Sequence, residues 1–328
     1  EKGYLVNEAD EEARFRAAYL DFLDRRDQSE VQLFFVPWYA CNFACSYCYQ
    51  EDYGKHLPPP GDDLLKALFS HIDKHFAQKS KYLTLFGGEP LLPGKDYRRV
   101  VETIVREAAA RGLGLAVVTN GYHLKDYIGL LAQAPIREIQ VTLDGTKAVH
   151  DQRRPLKGGG PTFTRIVEGI DATLEKRLPV NLRVVLDREN ISALDPLARF
   201  AVERGWTESG LFRTQIGRNY ELHSCGKAAE GTLYERAEMY HALHDEIKKH
   251  PVIVDFHRPA FSVSRFLFDT GELPPPLFDS CPGAKTEWAF DGEGKIYSCT
   301  ATVGKKGEEL GTFHPYHSLD EDAVALWQ

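Results

Sequence analysis

The sequence predicts an α/β protein built on a mostly parallel sheet. Short apolar runs rich in branched residues recur along the first two thirds of the chain. Each is followed by a longer stretch whose apolar residues repeat at helical spacing. Strands that alternate with amphipathic helices pair in parallel through crossover connections. Six strands are read in this way, too few for the eight of a closed barrel. A partial barrel and an open doubly wound sheet both satisfy the pattern.

The elements follow in order. Residues 10–26 read as an amphipathic helix with Phe15, Tyr19, Phe22 and Leu23 on one side. The first strand is 31–36. After the breaker Pro58-Pro59-Pro60-Gly61, a helix over 63–77 carries the stripe Leu65, Leu68, Phe69, Ile72 and Phe76, with Asp62 as its expected cap. The second strand is 82–86. A helix over 97–110 buries Val101, Ile104 and Ala108 and stops at Gly112. Strands at 115–119 and 138–143 follow. A helix over 163–176 presents Ile166, Val167, Ile170 and Leu174, and a fifth strand is 181–186. A helix over 193–204 ends at Gly205, and the sixth strand is 211–216. Beyond it come a helix over 233–249, an apolar run at 252–256 and the breaker Pro274-Pro275-Pro276. Two apolar segments around the turn 291–294 then read as a β-hairpin.

A chain of 328 residues, 43% hydrophobic and 27% charged, is ordinary for a globular protein with one large domain and a smaller one. Its net charge of −8 argues against nonspecific nucleic-acid binding. No apolar run approaches the roughly 18 residues that cross a bilayer, and the first residues lack a signal-peptide core. The chain opens on Glu1 rather than Met, so a trimmed front is expected.

Chemistry concentrates just after the first strand. Cys41, Cys45 and Cys48 form C-x3-C-x2-C. Three thiolates on one short loop hold three irons of a [4Fe–4S] cubane and leave the fourth iron for a small molecule. Two other readings compete. Zinc could use the Cys45-x2-Cys48 pair with Cys41 and His56. Disulfides would need an oxidising compartment and would strand one cysteine. The cluster is the expected reading.

With Tyr47 before the last cysteine and Tyr49 after it, the loop resembles the signature of the radical S-adenosylmethionine (SAM) superfamily. More specifically it resembles the branch with a SPASM or twitch extension, which includes peptide-modifying and sulfatase-maturing enzymes. The resemblance implies a (β/α)6 partial TIM barrel over about residues 31–217. It implies that the open iron chelates the amino and carboxylate groups of SAM. An electron from the cluster then cleaves a C–S bond, and a 5′-deoxyadenosyl radical takes hydrogen from the substrate. A low-potential cluster implies a reducing compartment, hence the cytoplasm, with a flavodoxin- or ferredoxin-like electron donor.

Parallel α/β proteins bind ligands at the C-terminal ends of their strands. Gly87-Gly88-Glu89-Pro90 follows the second strand. The glycines let backbone approach a ligand, and a carboxylate accepts from an ammonium group. Alone this is an ordinary turn. One unit after the cysteine loop it matches the family's G-G-E motif, which implies that Gly87, Gly88 and Glu89 contact the SAM amino group. Asn120, in Thr119-Asn120-Gly121, is either a turn residue or a ligand, and Tyr47 is placed with the cofactor site. The runs Val141 to Gly145 and His150 to Arg154 also match the family. They imply that Thr142 contacts the SAM ribose, that Arg154 pairs with its carboxylate, and that Asp144 ties the loop together. Ile216 is expected to pack on the adenine. The polar run 213–220 is a substrate-contact segment or a structural loop. Cys225 is a buried thiol or a further ligand.

Cys281 and Cys299 form C-x12-G-x4-C, which matches the opening of a SPASM or twitch extension. The match implies an auxiliary [4Fe–4S] site. A full SPASM extension continues with C-x2-C-x5-C-x3-C and a further cysteine, whereas this chain stops at Gln328. The remaining ligands, and so the auxiliary cluster, are expected in a longer protein. The expected organisation is a helical lead-in over 1–27, a radical SAM core over 28–220 and a partial SPASM/twitch-like domain over 221–328. The expected activity is modification of a peptide or protein side chain, with no nucleic-acid or membrane partner. The rivals are a small-molecule radical SAM dehydrogenase with a twitch domain, and a non-catalytic zinc- or iron–sulfur-binding module.

Overall fold

The computed structural model describes residues 7–48, 50, 57–219, 231–259, 266–267 and 269–328. Helix α1 (Glu8–Gln28) leads into β1 (Val31–Val36). There follow α2 (Asp62–His75), β2 (Lys81–Leu85), α3 (Lys95–Arg111), β3 (Gly114–Thr119), α4 (Leu124–Leu131) and β4 (Ile136–Thr142). Next are α5 (Lys147–Arg153), α6 (Phe163–Glu175), β5 (Val180–Leu186), α7 (Leu194–Glu203) and β6 (Phe212–Arg218). Helices α8 (Arg236–Lys249) and α9 (Ile253–Phe256) precede β7 (Glu287–Asp291), β8 (Lys295–Tyr297), β9 (Glu309–Thr312), β10 (Ser318–Leu319) and α10 (Glu321–Trp327).

All ten strands form one sheet in the order β10-β9-β8-β7-β1-β2-β3-β4-β5-β6. Strands β1 to β6 are parallel, and β7 joins parallel on the free side of β1, with Gln32 opposite Glu287 and Val36 opposite Asp291. The C-terminal hairpin therefore continues the sheet of the core. Among the described residues the sheet ends on β6 at one side and β10 at the other without closing, which makes it a partial barrel.

Side-chain alternation separates the two faces. Leu33, Phe35, Leu83, Leu85, Val117, Val141 and Val184 are buried in one large core with the helices. The inner face is mixed: Phe34 and Val36 form a small apolar cluster with Tyr39 and Phe86, and polar pairs fill the rest. Gln32 donates to Thr84 (3.1 Å), Gln140 to Gln215 (2.8 Å) and Asn181 to Glu138 (3.1 Å). A barrel lined this way holds a ligand rather than a packed core.

Two helix ends behave as expected: Gly112 and Gly205 both adopt left-handed backbone, φ 59° and 75°. Asp62 does not cap α2. Gly61 takes that position and Asp62 is the first helical residue, where it faces the helix's positive end and pairs with Arg99. The apolar run after α8 forms the short helix α9. Phe15, Tyr19 and Phe22 of α1 pack on Phe278, with ring centroids 5.3, 5.3 and 5.6 Å away. Among the described residues, no helix is long and apolar enough to cross a membrane.

Candidate active site

The C-terminal ends of β1 to β5 converge on one cavity. Cys41, Cys45 and Cys48 line it together, along with Tyr47, Gly87, Gly88, Asn120, Thr142 and Arg154. Nine of the eleven residues expected from sequence at the catalytic cluster and the SAM site, all except Glu89 and Ile216, thus meet at one place. All five described cysteines are free thiols. His56, Tyr49 and Cys225 lie outside the described residues.

The cysteine loop is pressed against the next loop. The Glu89 amide donates to the Ala40 carbonyl (2.8 Å). A Cβ on Gly87 would stand 2.2 Å from Val36 Cγ1, and one on Gly88 would stand 2.2 Å from the Ala40 oxygen. Both glycines have positive φ, 83° and 31°. Only residues without a Cβ permit this approach.

Glu89 has a different role from the one expected. It is fully buried and does not line the cavity. Its Oε1 accepts from Leu91 N (2.8 Å) and Thr119 Oγ1 (2.6 Å), and its Oε2 accepts from Asn120 N (2.6 Å). The carboxylate clamps the loop after β2 to the turn after β3. Asn120 in turn donates to Asn42 Oδ1 (2.8 Å) and reaches Cys41 Sγ (3.8 Å).

Arg153 and Arg154 are adjacent but unlike. Arg153 is buried and grips Asp187 with both terminal nitrogens (3.1 and 2.8 Å). Arg154 is 8% exposed, donates from Nη1 to the Tyr47 hydroxyl (2.6 Å), and its Nε is buried with no partner. A buried guanidinium with an unused donor, lining a cavity, is a seat for an external carboxylate. Asp144 holds the surrounding loop. It accepts from Val185 N (3.0 Å), from the Tyr47 hydroxyl (2.5 Å) and from Arg153 (3.5 Å), and its carbonyl accepts from Asn190 (3.0 Å).

Burial and the neighbouring Glu89 carboxylate push the Cys41 thiol up to about 12. Burial also raises Cys45, against a downward pull from Arg154. These thiols ionise as a metal binds them rather than beforehand. Three converging thiols, close-set glycines and an unpaired arginine fit a three-cysteine cluster and its SAM ligand.

Ile216 is a correction. It pairs with Val184, a core residue on the helix-facing side. Its neighbour two residues back, Thr214, reaches the Phe256 carbonyl of α9 (3.0 Å). The register thus turns Ile216 away from the cavity. Gln140, Arg183 and Val185, which were not anticipated, line it instead, together with Arg218 and Asn219 from the polar run 213–220. Arg183, a lone charge in the apolar run of β5, was the available signal.

Cys281 precedes β7 and is exposed, and Cys299 follows β8. The Ala284 amide donates to the Ser298 carbonyl (3.0 Å), so the two segments adjoin. They lie where β1 begins, the end opposite the Cys41–Cys48 loop. The six residues of β1 span about 20 Å. Two thiols do not fill the four corners of a cubane.

Comparison with known proteins agrees with this layout. The chain is 26% identical over 309 residues to a probable GTP 3',8-cyclase of Sulfurisphaera tokodaii, covering 91% of this chain and 90% of that one. It spans only about half the length of several further curated relatives, also GTP 3',8-cyclases. Among solved structures it is similar in fold to anSMEcpe with bound AdoMet, at TM-score 0.69, 15% identity, and 90% and 77% coverage of the two chains. It is also similar to Streptococcus suis SuiB bound to precursor peptide SuiA, at TM-score 0.64, 14% identity, and 98% and 70% coverage. The family model for the radical SAM superfamily matches residues 35–201, across the cysteine loop and the strands that line the cavity, and the chain belongs to that superfamily.

Proposed function

We propose that this radical SAM enzyme modifies a peptide or protein side chain. The observation that carries the reading is the open side of the barrel. Among the described strands β6 is the last. Its inward-facing residues Arg213 and Gln215 are exposed. A chain can therefore run along the β6 edge by strand addition and present one side chain to the cavity. The fold likeness to proteins solved with bound peptides is in keeping with this route.

A [4Fe–4S] cluster held by Cys41, Cys45 and Cys48, with SAM beside it, supplies reductive C–S cleavage and a 5′-deoxyadenosyl radical for hydrogen abstraction. The protein's part is positioning. Arg154 receives the SAM carboxylate, the backbone at Gly87 and Gly88 borders its amino end, and Thr142 stands toward its ribose. The buried walls keep water from the reacting carbon. The electron is expected from a flavodoxin- or ferredoxin-like donor in a reducing compartment. The Cys281/Cys299 pair is read as two ligands of an auxiliary [4Fe–4S] site.

The test is anaerobic reconstitution with SAM, a reductant and peptides from neighbouring short reading frames. Mass spectrometry should show a changed peptide and stoichiometric 5′-deoxyadenosine. Deuterium at the modified position should appear in the 5′-deoxyadenosine. Turnover of a nucleotide or sugar with all peptides unchanged would reject the peptide reading.

A second reading is favoured by Arg183. It lines the cavity, and its Nε is buried without a partner. That arrangement suits a small organic anion, and the S. tokodaii relative carries the name of an enzyme that acts on a nucleotide.

A further inference from the structure

Outside the cavity lining, three histidines meet. His71 and His75 lie one turn apart on the same face of α2, and His317 comes from the turn between β9 and β10. Each offers one ring nitrogen, and these nitrogens lie within 4.8 Å of one another. The ring centroids of His71 and His75 are 4.4 Å apart, and those of His75 and His317 are also 4.4 Å apart. His71 is buried against Phe290 (5.3 Å), while His75 and His317 are exposed. No carboxylate is among the groups acting on His71 and His75; the nearby charge is Lys74.

We propose that His71, His75 and His317 bind one divalent transition-metal ion, zinc by preference, which staples the C-terminal hairpin to the core helix α2. Imidazole suits zinc, copper and nickel. Zinc takes neutral imidazole nitrogens at about 2.0–2.1 Å, so tetrahedral ligands stand about 3.3 Å apart. Reaching that spacing from the present one requires rotation of the two exposed rings. The remaining coordination position is left to water. Burial and the adjacent imidazoles hold His71 at about 3, and the same causes lower His75. Neutral rings keep their lone pairs free for a metal. His317 lies 242 residues beyond His75 and 246 beyond His71 along the chain. A bond between them closes a very long loop of the unfolded chain, where a cross-link stabilises most.

A histidine stack with no metal is the competing account. The full chain with its iron–sulfur cluster reconstituted is titrated anaerobically with Zn²⁺, and compared with a His75→Gln/His317→Gln double variant. Both positions are exposed, so the variant folds. The expected result is one more equivalent of zinc bound by the native chain, with a rise in thermal midpoint that saturates at that equivalent and is absent in the variant. Co²⁺ in place of zinc should give d–d bands without thiolate charge transfer, which separates this site from Cys281 and Cys299. Equal zinc stoichiometry in the two proteins, or a thiolate band in the cobalt spectrum, would overturn the proposal. Neither readout depends on which substrate the enzyme uses.

Discussion

The Tyr47 hydroxyl stands between Arg154 Nη1, at 2.6 Å, and Asp144 Oδ2, at 2.5 Å. It couples the cysteine loop to the loop after β4. Arg154 keeps its Nε free while its other end is fixed. Hydrogen bonds to charged groups contribute about 1.5–3 kcal/mol. Arg154→Ala should therefore weaken SAM binding by roughly 10- to 100-fold. Tyr47→Phe leaves the guanidinium in place, removes the hydroxyl's bonds to Arg154 and Asp144, and should weaken it by about 10-fold or less. Equilibrium binding to the reconstituted protein measures both. Equal SAM affinity in Arg154→Ala and the native protein would remove Arg154 from the site.

The two glycines after β2 separate by what they would strike. A Cβ at Gly87 meets the Val36 side chain, whereas one at Gly88 meets the Ala40 backbone oxygen. Both substitutions to Ala should destabilise, by about 1–3 kcal/mol or more. Adding Val36→Ala should recover part of the loss for Gly87→Ala and none for Gly88→Ala. Denaturation midpoints of the four proteins test this. Equal rescue in both backgrounds would contradict the geometry.

Glu89 is predicted to act on stability before it acts on SAM. Both of its oxygens accept backbone N–H groups. In Glu89→Gln one of those positions becomes a donor facing a donor. An unsatisfied buried group costs about 1–3 kcal/mol. The variant should unfold earlier even without a cluster. An unchanged denaturation midpoint with weakened SAM binding would instead restore the direct contact that the family motif implies.

Much of this layout was legible from periodicity. The first strand was read at its observed bounds because Val31–Val36 is mostly apolar, with Glu30 before it and the strand-breaking Pro37 after it. Helices α4 and α5 were not anticipated. In α4, Leu124, Tyr127, Ile128 and Leu131 stand at helical spacing, but the run is only eight residues long and holds Gly129, so it was read as part of the connection between two strands. In α5 the buried residues are His150 and Arg153, which read as surface. Ile216 was misplaced because its facing depends on the β5–β6 register, a property of two strands together. The convergence of Cys41, Cys45 and Cys48 with Arg154 followed from strand order alone, since each motif ends a strand of the same parallel sheet.

His150 gives a pH prediction. Burial holds it at about 3, below its usual 6.5. The Asp144 amide donates to Nδ1 (3.2 Å), so the neutral ring carries its proton on Nε2. A depressed histidine favours folding above the unfolded pKa, and that contribution is lost as pH falls from about 6.5 toward 3. At pH 4.5 the loss should be about 2–3 kcal/mol, from 1.36 kcal/mol per unit. His150→Asn keeps an acceptor for the Asp144 amide and should flatten this part of the stability profile, though it is less stable at pH 7. Parallel pH profiles for the two proteins would refute the assignment.

Arg183 discriminates between the two substrate readings. It stands on β5 opposite Gln215, with Gly217 beside it, where a Cβ would come within 3.4 Å of Nη2. The missing side chain at Gly217 leaves the guanidinium room at the barrel mouth. If it meets a carboxylate or phosphate of the substrate, Arg183→Gln should raise KM for that substrate by about 10- to 100-fold, the value of a charged hydrogen bond. The Kd for SAM, measured separately, should stay within about twofold because Arg154 already supplies the carboxylate seat. A matching rise in both constants would assign Arg183 to SAM. A peptide lacking acidic groups should show little change in KM, since an extended chain is held through its backbone along β6.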